Sequence, residues 1–358
     1  MLSITRLLVV LGFISCLFVG NAQAIGEERF LAKNFLGLGI KAYTKNDVGA
    51  AIYYFKETLK LDPNMIEAKK RLGFAYYRNG MLDDAVYMYT AVIKVEPNNE
   101  QTRNILGIIY YTMGKTDKAI EEYQKAINAN PTNPKFYNNL GVAYYASNSL
   151  DLAQAQYQKA LELVPLDTEV HTNLGAVYYD KGLLQESIHE YEKALKQDNK
   201  NSRVYFGLGV IHATYGNLKK ARSYLNLALK YEQEYTEASD LLSLLDNPKR
   251  LYLNFADKYC RAAKYDLALE LYSRVLKIEP NCQDVLMGMG MCYYQKAGVP
   301  MQDMMAELSK DERTNSSSKG GMVLQAEIKQ PAKISLESNT DVDVCNIVAY
   351  KGIVQVDF

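Results

Sequence analysis

Leucine and glycine recur as a pair at a fixed spacing along most of this chain. Six pairs stand 34 residues apart, and a Met-Gly pair follows later. In most units an aromatic residue comes three residues after the glycine, a small residue comes twelve after it, and a large residue sixteen after it. A repeat of this length indicates an array of similar structural units. The pairs begin at Leu38, Leu72, Leu106, Leu140, Leu174 and Leu208, and the Met-Gly pair begins at Met289.

The spacing of apolar residues predicts two helices in each unit. In the first helix the Leu-Gly pair and the following aromatic residue share one face. In the second helix the small and large residues form the opposing face, and the glycine permits a close approach of the two helices. Prolines at 63, 97, 131 and 165 end the first four units. Residues that tolerate the left-handed conformation stand between the two helices: Asn46, Gly80, Gly114, Asn148, Gly182 and Gly216.

With these features combined, the chain resembles the tetratricopeptide repeat family, whose units of this length carry the same Leu-Gly, Tyr, Ala, aromatic, Ala and Pro pattern. The resemblance covers residues 32–235 as six consecutive units. It implies an all-α fold, a right-handed α-solenoid of about seven and a half helix-turn-helix repeats.

The pattern divides the chain into five parts. Residues 1–24 are predicted to be a signal peptide and 25–235 the first six repeats. An extra or lengthened helix is expected at 236–248, followed by repeat 7 and a partial capping repeat at 249–311. Residues 312–358 comprise a polar linker and a tail that is either disordered or a small β element, and whose alternating segments are suited to adding a strand to another sheet.

The N-terminal segment has the order of a secretory signal. Arg6 precedes an apolar run from Leu7 to Gly20, and Ala22-Gln23-Ala24 provides small residues for cleavage. The apolar run is shorter than the ~20 residues that span a bilayer. The sequence therefore predicts export with cleavage after Ala24, to the periplasm or cell envelope or to the exterior, without stable membrane insertion.

Charge and composition narrow the function classes. The chain has 41 basic and 41 acidic residues and no run rich in Lys or Arg, which argues against nucleic-acid binding because phosphate neutralisation needs a basic face. There is no Gly-rich phosphate loop, no nucleophile elbow and no histidine at metal-ligand spacing. No enzyme activity, cofactor or metal is expected.

Two tyrosines stand side by side at the end of most first helices. With the glycine as position 8, one tyrosine occupies position 11 on the core face, and the second occupies position 12, which points elsewhere. In the family that the chain resembles, positions 2, 5, 9, 12 and 13 line a concave groove. The resemblance thus implies a peptide-binding groove, although packing between helices also suits these rings. The position-12 residues, here called the tyrosine row, are Tyr43, Tyr77, Tyr111, Tyr145 and Tyr179.

Polar residues also fall at or beside the groove positions. Amide side chains offer a donor and an acceptor to a ligand backbone, although the same residues also suit helix starts or a solvated surface. The clamp of Lys, Asn and Arg by which chaperone-binding members hold a terminal carboxylate is not reproduced. The polar groove candidates are Asn104, Asn138, Asn139, Asn173, Lys70 and Arg71.

After the signal segment four cysteines remain, at 260, 282, 292 and 345. In an oxidising compartment Cys260 and Cys292, on neighbouring first helices, are one possible pair, and buried free thiols are the alternative.

Taken together, these features favour an exported, non-enzymatic scaffold or assembly factor that binds a peptide or a segment of another envelope or secreted protein. The alternative is a self-assembling structural or surface component whose tail adds a strand to a neighbour.

Overall fold

The computed structural model of this chain describes residues 27–298, which are helices joined by short turns with no strand among them. This confirms the all-α prediction. The predicted signal peptide, the second helix of the capping repeat and the C-terminal tail, with Cys345, lie outside the described residues. In the described range, no helix combines the length and the apolar character that crossing a membrane requires.

Residues 27–163 belong to a first compact unit, in which each helix packs against the next along the chain. Its helices alternate between the first and second helix of a repeat. They are α1 (27–44), α2 (Val48–Leu61), α3 (Ile66–Arg78), α4 (Leu82–Val95), α5 (Glu100–Thr112), α6 (Thr116–Ala129), α7 (Pro134–Ala146) and α8 (Leu150–Leu163).

Residues 164–298 belong to a second unit. It continues the 34-residue pattern through two more repeats and then departs from it. Its helices are α9 (Thr168–Asp180), α10 (Leu184–Gln197), α11 (Ser202–Thr214), α12 (Leu218–Tyr231), α13 (Thr236–Leu244), α14 (Pro248–Arg261), α15 (Tyr265–Ile278) and α16 (Gln283–Lys296).

The first helix of most repeats begins at a side-chain cap. An Asp or Asn oxygen accepts a hydrogen bond from a backbone N–H of the first turn, which satisfies one donor that the helix itself leaves unpaired. Each such cap contributes about 1 kcal/mol to helix stability. The capping residues are Asn99, Asn133, Asp167, Asn201 and Asn247, and Asp47 caps α2 in the same way.

The turn between the two helices of each repeat is left-handed at one residue. The six positions predicted from the sequence all have positive φ, from Asn148 at 58° to Gly182 and Gly216 at 78°. A further left-handed turn, between α14 and α15, has neither Gly nor Asn at this position, because Ala263 there has a φ of 56°. Alanine carries a steric cost in this conformation that glycine does not.

At the core of each repeat a large side chain of the second helix packs on the glycine of the first helix, and in the first five repeats this side chain is aromatic. The large residue sixteen positions after the glycine is buried in all six repeats. The leucine of the Leu-Gly pair is buried in repeats 2 to 6, whereas Leu38 is 43% exposed, because no described helix precedes α1. The buried large residues are Phe55, Tyr89, Tyr123, Tyr157, Tyr191 and Leu225.

A hydrogen bond joins each of the third to sixth repeats to the turn before it. The residue at position 4 of the first helix hydrogen-bonds to the backbone carbonyl six residues earlier. Different side chains perform this role in successive repeats, so the link depends on reach and donor rather than on residue type. The pairs are Arg103 with Pro97, Tyr137 with Pro131, His171 with Pro165 and Tyr205 with Asn199.

The second unit changes after α12. Helix α13 has only 9 residues and lies in the segment where the sequence predicts an extra helix. Helices α14 and α15 then pair as a repeat whose register is displaced. Cys260 on α14 and Cys292 on α16 are joined by a disulfide with Cα atoms 6.0 Å apart, so of the two alternatives that the sequence left open for these residues the structure has the disulfide. Cys282 is a free, buried thiol.

Candidate functional site

The tyrosine row ends the first helix of five successive repeats. Each of these tyrosines is the last residue but one of its helix, α1, α3, α5, α7 or α9, and lies close to the left-handed turn residue. In the first unit Tyr43, Tyr77, Tyr111 and Tyr145 are half-buried. Each of these side chains is therefore partly exposed, although the Tyr43 hydroxyl itself is buried.

The apolar side chains at position 9 lie next to the tyrosine row. Phe74 lies between two row members, with ring centroids 5.4 Å from Tyr43 and 6.4 Å from Tyr77. The position-9 residues of the next two repeats, Ile108 and Val142, are buried. Position 9 therefore packs the helices together, and position 12 carries the open surface.

Burial shifts the pKa of two phenols of the row. It raises the pKa of Tyr111 above its ordinary value, and it raises the pKa of Tyr43 in the same way. The Arg78 guanidinium beside Tyr43 opposes part of the latter shift. Neutral phenols offer an apolar ring and a hydrogen-bonding hydroxyl together. The row thus suits contact with a protein surface more than with a small charged solute.

Arg78 is a candidate that sequence reasoning missed. It is exposed and occupies position 13, directly after Tyr77. The signal was present, because position 13 is one of the groove positions of the family and Arg78 is the only charged residue there in the first four repeats.

For Tyr179 the prediction of an open groove residue is wrong. This ring is 2% exposed. Helix α14 covers it, since the Tyr259 ring lies 6.1 Å away and the Lys258 ammonium lies 4.8 Å from the ring centroid. The sequence around Tyr179 gives no sign that α14 will cover this ring, because α14 follows the displaced register after α12.

The position-11 tyrosines contribute less to the core than predicted. Tyr76 is buried, whereas Tyr110, Tyr144 and Tyr178 are half-buried. Their rings reach the second helix of a repeat, as the hydrogen bond from Gln124 to the Tyr144 hydroxyl at 3.0 Å shows. The space at the centre of each repeat is already filled by the ring from its second helix.

The asparagines do not form an open row. Asn138, Asn139 and Asn173 are buried, and only Asn104 is half-buried. The Asn139 amide donates to the Asn104 carbonyl oxygen at 2.8 Å. Prediction of these residues as ligand contacts is therefore corrected, because their side chains lie within the packing between first helices.

The two cations beside the groove positions are held in ion pairs. The Lys70 ammonium lies 2.9 Å from Glu96, whose pKa this hydrogen bond lowers, and the Arg71 guanidinium lies 2.6 Å from Glu67. Surface pairs of this kind contribute little to stability, but they occupy both side chains.

Histidine, cysteine and acidic side chains do not gather into a metal site in the described range. No group of three or more His, Cys, Asp or Glu residues there is placed to hold a metal ion. The buried histidine has structural contacts, since the His171 ring lies 2.6 Å from the Glu190 carboxylate and 2.9 Å from the Pro165 carbonyl.

Three solved structures illustrate the likeness of the fold. MamA is 28% identical over 48% of this chain and 94% of its own, with a TM-score of 0.44. YrrB, described as having an unusual peptide-binding site, is 20% identical over 53% of this chain and 98% of its own, with a TM-score of 0.43. PilF of Pseudomonas aeruginosa is 16% identical over 62% of this chain and 99% of its own, with a TM-score of 0.51. Of these three, PilF alone has a TM-score above 0.5, and at 16% identity its likeness shows the fold and nothing further. No curated protein sequence matches this chain.

Family models of the repeat match the chain without a gap from the first repeat to the sixth. One tetratricopeptide repeat model covers residues 42–109, a second model covers 107–148, 143–182 and 177–216, and a third covers 202–235. These are the same residues that form α2 to α12 with their rings, glycines and left-handed turns. By its sequence and its helical repeats, this chain belongs to the tetratricopeptide repeat family.

Proposed function

We propose that this chain is a non-enzymatic scaffold that binds a segment of another protein on the tyrosine row of its first unit. The observation that carries the proposal is the recurrence of a half-exposed tyrosine every 34 residues at Tyr43, Tyr77, Tyr111 and Tyr145. Rings fixed at this interval provide a long, preorganised contact surface.

Physical chemistry favours tyrosine for such a surface. A tyrosine side chain has two rotatable angles, so it loses little conformational entropy on binding, and it contributes apolar area and a hydroxyl together. Stacked repeats bury their apolar faces against each other, which keeps the surface rigid before the partner arrives. Asn138, Asn139 and Asn173 are left out of the proposed contact set because they are buried.

We further propose that the scaffold acts in the cell envelope. The N-terminal segment has the order of a cleaved secretory signal, and the disulfide between Cys260 and Cys292 suits an oxidising compartment. Fractionation of cells followed by intact mass measurement tests this: the envelope fraction is expected to hold a chain that begins at Ile25. A cytoplasmic chain that retains residues 1–24 would contradict it.

Affinity capture tests the binding surface. Tyr77, Tyr111 and Tyr145 are changed together to alanine, and the protein is used to capture partners from envelope extracts for mass spectrometry. A partner retained by the unchanged chain is expected to be lost. A matched control changes Tyr53 and Tyr87, which are exposed on the second helices α2 and α4, and is expected to retain the partner.

The control is needed because the row tyrosines also pack against the repeat cores. Circular dichroism of each variant establishes that its helices are intact before capture is compared. If the folded triple variant captures the same partner as the unchanged chain, the tyrosine row is not the binding surface.

A further inference from the structure

One member of the tyrosine row, Tyr179, is covered by another helix of the same chain. Helix α14 crosses Tyr179 and places two consecutive side chains on it. The Tyr259 ring meets the Tyr179 ring at 6.1 Å with planes inclined by 59°, and the Lys258 ammonium stands 4.8 Å from the ring centroid. The same ammonium lies 3.3 Å from the carboxylate of Asp180, the residue after the row tyrosine. The occupant is therefore a helix with a charged residue followed by an aromatic one.

The turns beside this part of the row are covered as well. A methyl group at Gly182 would lie 3.0 Å from Leu267 of α15, and one at Gly216 would lie 2.5 Å from the Arg274 guanidinium. Arg274 donates to the Thr214 carbonyl at 3.0 Å and lies over the Tyr252 ring. Helices α14 and α15 thus cover the C-terminal ends of α9 and α11.

The equivalent places in the first unit are open. A methyl group at Gly80 or at Gly114 would meet no described atom within 4 Å beyond its immediate chain neighbours. Tyr77 and Tyr111 keep part of their rings exposed, whereas Tyr179 is buried. Among the described residues, the same repeat position is therefore covered by a helix in one unit and uncovered in the other, so the covered copy is a guide to the kind of segment that fits the uncovered one.

The charge next to the row differs between the two units. Asp180 follows Tyr179 and pairs with Lys258, whereas Arg78 follows Tyr77. Thr44, Thr112 and Ala146, which follow the other row members, carry no charge. A helix that lies on Tyr77 in the manner of α14 would thus bring its charged residue to a guanidinium instead of a carboxylate. A carboxylate is the matching group, because it accepts charge-assisted hydrogen bonds from arginine.

We infer that the open part of the tyrosine row binds an α-helix in which an acidic residue directly precedes an aromatic one, with the aromatic ring on Tyr77 and the carboxylate at Arg78. This rests on the proposed scaffold function and specifies its partner. The binding mode is an amphipathic helix laid in a groove, and aromatic pairing with one charge contact sets its register.

A charge-swap experiment with two peptides tests this. Both peptides contain residues 247–262, which include α14, and both carry Cys260→Ser. A covalent link between the side chains at positions 250 and 254 keeps each peptide helical. One keeps Lys258, and the other carries Lys258→Glu. Fluorescence anisotropy measures binding of each to the full chain. The Lys258→Glu peptide is expected to bind, and the lysine peptide is expected to bind about tenfold more weakly to this surface because like charges meet at Arg78.

Variants of the full chain complete the test. Arg78→Glu is expected to reverse the preference between the two peptides. Tyr77→Ala is expected to weaken binding of the Lys258→Glu peptide about tenfold. Tyr77→Phe keeps the aromatic ring and is expected to keep the affinity. Tyr87→Ala, on the exposed side of α4 with 70% of its surface accessible, is the control and is expected to leave binding unchanged. Binding of neither peptide, or binding indifferent to Arg78→Glu and Tyr77→Ala, would overturn the inference.

The outcome is separable from that of the scaffold proposal. If a captured partner is lost on changing the tyrosine row but its bound segment is extended, the row is a binding surface and the helix inference is wrong. If the row variant captures the partner normally, the scaffold proposal itself fails at this surface.

Discussion

Gly107 lies directly under the ring of Tyr123, so closely that a methyl group on Gly107 would stand 2.5 Å from the ring carbon Cε1. The same relationship joins Gly141 to Tyr157 and Gly175 to Tyr191. The recurring glycine is therefore a requirement of the ring from the second helix, and the two residues act as one packing unit within each repeat.

Gly107→Ala is expected to lower the stability of the first unit by about 1–3 kcal/mol, because the ring of Tyr123 must shift within a filled core. Gly37→Ala is the matched control. Gly37 is also helical, but a methyl group there meets no described atom within 4 Å, so the substitution is expected to be neutral or to stabilise α1 by about 0.5–1 kcal/mol. Thermal melting followed by circular dichroism compares the two. Equal melting midpoints would contradict the packing account.

Tyr123→Phe is expected to maintain or raise stability. The Tyr123 hydroxyl is buried and has no hydrogen-bond partner among the described residues, and burial raises its pKa well above the ordinary value. Removing it relieves a desolvation cost of about 1 kcal/mol, and repeat 1 already has phenylalanine, Phe55, at this position.

Tyr272→Phe provides the contrast. The Tyr272 hydroxyl donates to Asp257 at 2.5 Å, so its loss is expected to cost about 1–3 kcal/mol. Urea denaturation of both variants gives the comparison. A large loss for Tyr123→Phe would mean that its hydroxyl has an unrecognised partner.

Ala263→Gly is expected to stabilise the second unit by about 0.5–1 kcal/mol. Ala263 has a φ of 56°, where alanine carries a steric cost that exceeds the added chain entropy of glycine. The neighbouring Ala262 has a φ of −83°, so Ala262→Gly is expected to give no gain. The melting midpoint measures each effect, and a lower midpoint for Ala263→Gly than for Ala262→Gly would refute the explanation.

Reduction of the disulfide is expected to destabilise the second unit. Cys260 and Cys292 are 32 residues apart in sequence, and closing a loop of this length contributes about 3–4 kcal/mol in the chain-entropy model. Melting with and without dithiothreitol measures the loss. The double variant Cys260→Ser with Cys292→Ser is expected to melt at the reduced protein's midpoint and to be insensitive to dithiothreitol.

The repeat architecture was accessible from sequence because each signal is local and repeated. The Leu-Gly pairs, the rings at 89, 123 and 157, and the left-handed residues such as Asn46 and Gly80 each follow from one short stretch, and six copies reinforce one another. The helix pairs, the left-handed turn residues and the buried large residues of the second helices were therefore predicted correctly.

The surface of the array was harder to predict because exposure depends on contacts distant in sequence. Tyr179 is identical in repeat position to Tyr145, and only the fold of α14, about 80 residues later, buries it. In the same way, the position-11 tyrosines suit a core, but their space is already taken by the rings of the second helices. Neither outcome is encoded within the repeat itself.

The hydrogen bond from position 4 to the carbonyl six residues earlier ties the first helix of four repeats to the turn that precedes it. A fragment cut at the first residue of α5, Glu100, would separate Arg103 from the Pro97 carbonyl that accepts its Nε–H. A fragment that begins at Glu96 would keep both ends of that bond. In these four repeats the turn before a first helix is therefore bonded to the helix that follows it, so a fragment that preserves this contact must begin before the turn.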